Sequence, residues 1–357
     1  MTLFDSTSFE GHEGVHAFHD EKTGLKSIIA VHSTARGPAA GGCRMWPYAS
    51  ADLALEDALR LSRAMSYKNA MADLELGGGK SVIIGDSRTQ KTPALFEAFG
   101  RAVESLGGKY WTAEDVGVSP ADLAHAAKTT RYVAGLEGAA ASSGDPSPVT
   151  AEGVFRGIRL CVERKLGRDL AGVTVALQGV GHVGGYLAEK LHAAGARLVI
   201  TDVNAEALAR VAEATGAQVV APAAIFEVPC DVFAPCALGG AVNAETLLRI
   251  KAPVIAGAAN NQLAHPDVGR ALHERGVLYA PDYVINGGGI INVAAEIRAL
   301  GEGAAFDAQW VESKLARLMQ TLEEVLDRAA AEKRPTQDVA NEIARARIAG
   351  AEHARAA

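Results

Sequence analysis

Apolar positions divide the 357-residue chain into two stretches of different rhythm. Up to about residue 146, strands and helices are mixed. LKSIIAVH (25–32), KSVIIGD (80–86) and YWTAED (110–115) read as strands, being short apolar runs rich in β-branched and aromatic residues. Residues 50–73 read as a helix with Leu55, Ala58, Leu59 and Met65 on its apolar stripe, and Thr92-Pro93 introduces another over 95–106. GLEGAAASSGDPSP (135–148) is small and polar with two prolines, which predicts a linker or hinge. Beyond it a helix over 150–164 leads into strands at 173–178, 198–202, 218–220, 231–233, 253–256 and 277–280, spaced by helical segments. That alternation predicts a parallel, doubly wound sheet. Residues 307–333 predict one long helix whose Val311, Leu315, Leu318, Leu322 and Val325 recur at heptad-like spacing, for core packing or a subunit interface.

Composition adds one anomaly. The chain has 38 glycines, where an average composition would give about 25. No three-residue period accompanies them and there are only 13 prolines, so collagen-like and low-complexity readings fail. The net charge of −7 argues against a nucleic-acid surface. No apolar run is long enough to span a bilayer, and MTLFDSTSFEGHEG is not a secretory signal. Cys43, Cys161, Cys230 and Cys236 form no C-x-x-C, which fits reduced thiols in a cytoplasmic protein. No histidine or third cysteine lies near Cys230 and Cys236, so no metal is expected.

The strongest local signal follows the strand TVALQ: Gly179-Val180-Gly181-His182-Val183-Gly184, opening a helix, with Asp202 ending the next strand. This is the full context of a dinucleotide fingerprint. Gly179 serves the tight turn, Gly181 lets a pyrophosphate approach the backbone, and Gly184 lets helix and strand pack closely. The helix N-terminus faces the phosphates with free N–H groups. Asp202 would accept hydrogen bonds from ribose hydroxyls and repel a 2′-phosphate, so NAD is expected rather than NADP.

A second constellation lies in the first stretch, SYKNA (66–70) followed by GGGKS (77–81). Gly79-Lys80-Ser81 is not a phosphate loop, because position 74 is Leu and a strand follows the lysine. Instead Lys80 enters an apolar strand and Lys68 ends an amphipathic helix. A lysine beside apolar neighbours, or a second ammonium, is a usable general base; on spacing alone both lysines could equally be surface residues. Asp115 ends its strand, where open α/β sheets place ligands.

These segments resemble the amino-acid dehydrogenase family of leucine, valine and phenylalanine dehydrogenases, with glutamate dehydrogenase more distant. The resemblance is carried by GPAAGGCRMWPYAS (37–50), SYKNAMADLELGGGKSVIIGD (66–86), TAEDVG (112–117), GDPSPVTAEGV (144–154), QGVGHVGG (178–185), APCALGG (234–240) and APDYVINGGG (280–289), in family order along nearly the whole chain. It implies an α/β fold of two domains with a cleft between them: a mixed α/β substrate-binding and oligomerisation domain over 1–146, and a Rossmann-type doubly wound NAD-binding domain over 147–334. The C-terminal helix, 335–357, would return to the first domain. Lys68 would bind the substrate carboxylate, Lys80 would be the catalytic lysine, and Asp115 would shuttle a proton at the amino nitrogen. The cofactor would be held by Gly179, Val180, Gly181, His182, Val183, Gly184, Asp202, Thr150, Ala237 and Asn261, the last also near the substrate. The implied reaction oxidatively deaminates an L-amino acid to a 2-oxo acid and ammonium with NAD, without a metal. A homo-oligomer, dimer or octamer, is implied, and neither nucleic acid nor membrane is expected as a partner.

By motif matching, the side-chain pocket is lined by Ala40, Gly41, Met65, Ala113, Ala134, Ile290 and Val293. None is charged, which implies an apolar substrate. Ala40 and Ala134 stand where leucine-type members usually carry Leu and Thr, and both enlarge the pocket; Ile290 is bulky where phenylalanine-type members tend to be small. Branched aliphatic substrates are favoured, with aromatic ones as the alternative. A non-catalytic NAD-binding protein is the rival of another class, and intact Lys68, Lys80 and Asp115 count against it. The histidines form no His-carboxylate pattern of a hydroxy-acid dehydrogenase.

Overall fold

The computed structural model describes residues 3–136, 138 and 140–356, and these form two compact units. The first draws on three segments, up to Asp145, Ile290–Glu312 and from Ala344 onward; the second comprises Pro146–Gly289 and Ser313–Ile343. The expected second domain ran unbroken from 147 to 334. Instead 290–312 joins the first unit, while 335–343 joins the second. Part of the reason is polar: Asn292 and Glu296 of the helix Gly288–Glu302 bind the 135–143 backbone.

The first unit has five strands: β1 (Gly14–Asp20), β2 (Leu25–Ser33), β3 (Ala39–Trp46), β4 (Gly77–Ile84) and β5 (Tyr110–Glu114), in spatial order β1-β2-β4-β3-β5. The β1–β2 and β2–β4 pairings are antiparallel; β3 runs parallel to both β4 and β5. Alternation on β2 serves two cores. Ile29 and Val31 pack with Phe96, Phe99 and Leu123 of the helices Pro93–Glu104 and Pro120–Ala126, whereas Ala30 faces Ala54, Ala58 and Leu59 of the helix Ala51–Met71. Each helix begins at a local cap. Ser50 accepts from the Leu53 N–H, Thr92 from the Leu95 N–H ahead of Pro93, and Ser119 with Asp122 forms a capping box.

The hydrophobic pattern reveals neither β1 nor β3. Ala-Ala-Gly-Gly at 39–42 reads as a loop, yet it is the buried core of β3 because its neighbours leave no room for side chains. A Cβ on Gly41 would overlap the Gly79 carbonyl oxygen, and one on Gly42 the Glu114 carbonyl oxygen. The helix Ala51–Met71 approaches β4 just as closely. A Cβ on Gly78 would strike the Ser66 backbone nitrogen, and the Asn69 side-chain amide donates to the Gly77 carbonyl at 2.5 Å. The last helix, Thr336–Ala356, closes this arrangement: Arg347 donates to the carbonyls of Ala70 and Met71 at 3.1 and 3.3 Å, a favourable cation at a helix C-terminus.

The second unit is a parallel sheet of β6 (Thr174–Gln178), β7 (Arg197–Thr201), β8 (Gln218–Val219), β9 (Val232–Pro235), β10 (Val254–Ile255) and β11 (Leu278–Tyr279). Its order, β8-β7-β6-β9-β10-β11, reverses direction between β6 and β9, the switch point of a Rossmann fold. The leucine stripe of the helix Ala308–Glu332 is core: Leu315, Leu318 and Leu322 are buried, with Leu315 and Leu322 against Gly153 and Gly157 of the helix Ser147–Leu166. No helix among the described residues is long and apolar enough to cross a membrane.

Gly78→Ala should destabilise the protein by at least about 3 kcal/mol, the upper range of overpacking, because the struck atom is backbone. Gly301→Ala, in a helix with open space around its Cβ, should stabilise by up to about 1 kcal/mol. Denaturant melts of the two variants check both signs.

Candidate active site

Two clusters stand out, one in each unit. In the first, β3 and β4 are parallel neighbours with Arg44 opposite Val82, so Arg44 and Lys80 project from one face two positions apart. Both reach the same carboxylate oxygen. The Lys80 Nζ donates to Asp115 Oδ2, and the Arg44 Nε donates to it at 3.2 Å. Asp115 follows the end of β5, and Gly42 leaves it room, since a Cβ there would lie 2.9 Å from the Asp115 Cβ. The Lys80 side chain is only 7% exposed and that of Asp115 23%, so the pair is shielded yet open to a small molecule.

Sequence reasoning missed what stands behind this pair. Arg44 Nη1 also donates to Asp57 at 2.9 Å, and Asp57 accepts from Tyr48 at 2.7 Å and Arg60 at 2.8 Å. The charges alternate from Arg60 through Asp57, Arg44 and Asp115 to Lys80. Burial pushes the Asp115 carboxyl up, but the Lys80 ammonium and Arg44 guanidinium outweigh it and hold its pKa below the usual carboxylate range. The signal that could have found Arg44 is a lone cation between Cys43 and Met45 of a buried strand. The sequence reading also surrounded Lys80 with apolar groups or an ammonium, whereas its Nζ meets a carboxylate.

The first unit gathers the other substrate candidates too. Met65 lies against Gly41, with its Cγ 3.1 Å from where a Cβ would sit. Lys68 stands two positions beyond Ser66, which packs on Gly78, and Lys80 two positions beyond Gly78. Ala40 and Ala113 are buried on adjacent strands, and Ala134 extends the β5 edge by donating its N–H to the Thr112 carbonyl at 2.9 Å. Ile290 and Val293 are half-buried on the helix Gly288–Glu302.

In the second unit the glycine loop spans β6 and the helix His182–Ala193, at the switch point. Gly179 has φ +96° and sits 2.8 Å from the Ala237 backbone nitrogen, counted from a would-be Cβ; one on Gly184 would overlap the Gly179 carbonyl oxygen. Around Gly181 there is open space, the one position where the fingerprint needs it. Val180 is buried, Val183 half-buried and His182 exposed. Asp202 accepts from the Val180 N–H at 2.7 Å and the Asn204 N–H at 2.8 Å, tying the loop to the end of β7. A carboxylate has lone pairs left for a ribose. Asn261 has φ +52° and lies in a loop braced by the buried Gln262 and Asn286. Thr150 donates to the Pro146 carbonyl at 2.9 Å, and Gly289 leaves room for its hydroxyl. The turn, the open glycine and the acid fit a dinucleotide.

The dimerisation-domain signature of Glu/Leu/Phe/Val dehydrogenases matches residues 12–132, and the Glutamate/Leucine/Phenylalanine/Valine dehydrogenase signature matches 200–356. Leucine dehydrogenase of Geobacillus stearothermophilus is 48% identical over 98% of this chain and 94% of its own length. Phenylalanine dehydrogenase of Bacillus thermotolerans is 44% identical over 98% and 91%. Among solved structures, L-tryptophan dehydrogenase from Nostoc punctiforme superposes with a TM-score of 0.84 at 39% identity, covering 98% of this chain and all of that one.

Removing Arg44 should raise the Asp115 pKa, because one of the two cations donating to its Oδ2 is lost. In a carbon-detected NMR titration of Arg44→Met, the Asp115 carboxyl should therefore titrate at higher pH. Because the folded pKa is depressed, its stabilisation is complete above the unfolded value of about 3.9 and is lost as pH falls through the folded one. The acid-unfolding midpoint of the variant should accordingly move up; an unmoved titration would make Arg44 electrostatically idle.

Proposed function

The chain belongs to the Glu/Leu/Phe/Val dehydrogenase family, and from that premise we propose that it catalyses the reversible NAD-dependent oxidative deamination of branched-chain L-amino acids. The observation that carries the reading is the shielded Lys80–Asp115 pair. Two groups able to exchange a proton, sharing one hydrogen bond in shielded surroundings, are what imine hydrolysis requires.

Bound at the glycine loop and Asp202, the nicotinamide cofactor supplies a hydride acceptor. Lys68 holds the substrate carboxylate. Loss of hydride from Cα leaves an iminium, electrophilic without a metal. With its own proton passed to Asp115 along their shared hydrogen bond, Lys80 takes a proton from water, and the hydroxide adds to the iminium carbon. Asp115 gives the proton it received to the nitrogen; as the C–N bond breaks, the carbinol hydroxyl gives its proton to the Asp115 carboxylate, and the departing ammonia takes that proton up to leave as ammonium. One water is consumed, and the products are the 2-oxo acid, ammonium, NADH and a proton. Thr150, Ala237 and Asn261 are assigned to the cofactor's nicotinamide side.

Ala40, Gly41, Met65, Ala113, Ala134, Ile290 and Val293 would surround the substrate side chain. None is charged, and Ile290 adds bulk, which supports aliphatic over aromatic substrates. One methylene in such a pocket is worth about 1–3 kcal/mol, so overlap with phenylalanine is expected. Four thiols without disulfides support a cytoplasmic enzyme, and the match to a dimerisation domain supports a homo-oligomer.

NADH formation should be seen with L-leucine, L-valine and L-isoleucine. Lys80→Ala should lose it by about a thousandfold, the middle of the general acid–base range. NADH binding, followed by fluorescence, should stay near wild type; normal turnover in that variant would sink the mechanism. Asp202→Ala should lose its preference for NAD over NADP, measured as the ratio of kcat/KM for the two. An unchanged ratio would mean that the acid does not meet the ribose.

A further inference from the structure

The helix Gly288–Glu302 carries a carboxyl that this chemistry does not use. Glu296 is 1% exposed. Its two oxygens accept four hydrogen bonds, all from one stretch of chain: Oε1 from the N–H groups of Gly135 and Leu136 at 2.9 and 3.3 Å, Oε2 from the Ser143 N–H at 3.0 Å and hydroxyl at 2.5 Å. One turn earlier the buried Asn292 donates to the Ser143 carbonyl at 3.0 Å. A carboxyl buried to this degree is costly unless its oxygens are satisfied, as they are here.

The clamp fixes the chain on the far side of Ala134. On the near side, residues 132–134 lie along β5: the Thr112 N–H donates to the Tyr132 carbonyl at 3.0 Å, and the Ala134 N–H to the Thr112 carbonyl. Ala134 is thus pinned between a strand edge and a helix. Ile290, Val293 and Glu296 follow one another at intervals of three along one broad side of that helix.

We infer that Glu296 is a positioning residue for substrate selection: through its bonds to Gly135, Leu136 and Ser143 it sets the distance between Ala134 and the helix bearing Ile290 and Val293, and so the width of the side-chain pocket. This rests on the proposed function, which assigns those residues to the pocket. Backbone held at Gly135, Leu136 and Ser143 by four bonds to one side chain is fixed at those points, and a fixed wall is what a pocket needs to tell substrates differing by a few carbons apart.

Steady-state kinetics on L-valine, L-leucine and L-phenylalanine for wild type, Glu296→Gln and Ser143→Ala test the role. Glutamine offers an amide NH2 where one oxygen accepts, so bonds on that side are lost. Ser143→Ala removes only one donor and is the milder variant. Glu296→Gln should shift the kcat/KM ratio of leucine to phenylalanine by about tenfold toward phenylalanine, the scale of one misplaced methylene. The change should lie in KM rather than kcat, with the pH profile unmoved, and Ser143→Ala should shift it less in the same direction. Equal losses on all three substrates, or unchanged ratios, would overturn the role of Glu296. Should Glu296→Gln not fold, the ratio in Ser143→Ala decides alone. A wild type that oxidises none of the three overturns the proposed function itself, a result distinct from an active wild type whose variants keep its ratios.

Discussion

Everything in the first unit depends on an approach between a helix and a sheet that no Cβ could survive. Ser66 lies on the backbone of Gly78, Met65 on Gly41, and Asn69 binds the Gly77 carbonyl. With no side chain between them, the helix Ala51–Met71 and β4 are in backbone contact, which fixes the separation of the lysines they carry. Rigidity of this kind favours chemistry that moves protons, where an ångström of misplacement is costly.

The second layer is electrostatic. Lys80 and Asp115 in isolation would be a buried ion pair of the kind whose desolvation rivals its attraction. Arg44 adds a second cation to the same oxygen, and Asp57 offsets the charge of Arg44 in turn. Alternation keeps the buried cluster from accumulating charge of one sign, while each guanidinium fixes its carboxylates in angle as well as distance. The arrangement takes four ionisable side chains beyond the reacting pair: Arg44, Tyr48, Asp57 and Arg60.

How much was legible follows from how local each cause is. The glycine loop could be read because each glycine answers to a neighbour a few residues away, and the switch point follows from β-α alternation. β3 could not, since Ala39 to Gly42 are strand residues only because β4 and β5 flank them. The same holds for the bond from Arg44 to Asp115 and for those to Glu296, which span 71 and more than 150 positions. The leucine stripe was ambiguous in sequence because a helix face does not state what covers it; Gly153 and Gly157 do. The interval 135–148 reads as a linker, yet Glu296 makes its described part up to Ser143 a fixed element of the first unit.

The segmented first unit also bears on the order in which the molecule is made. The helix Ala51–Met71 emerges early from the ribosome, but the guanidinium that satisfies its final carbonyls belongs to Arg347. Nearly three hundred residues, including the entire parallel sheet, are synthesised in between. The first unit to begin therefore waits on the second, and until Arg347 and Ile348 are made it must persist with an open helix terminus and an unfilled place beside Ala35 and Ala70, where Ile348 later packs.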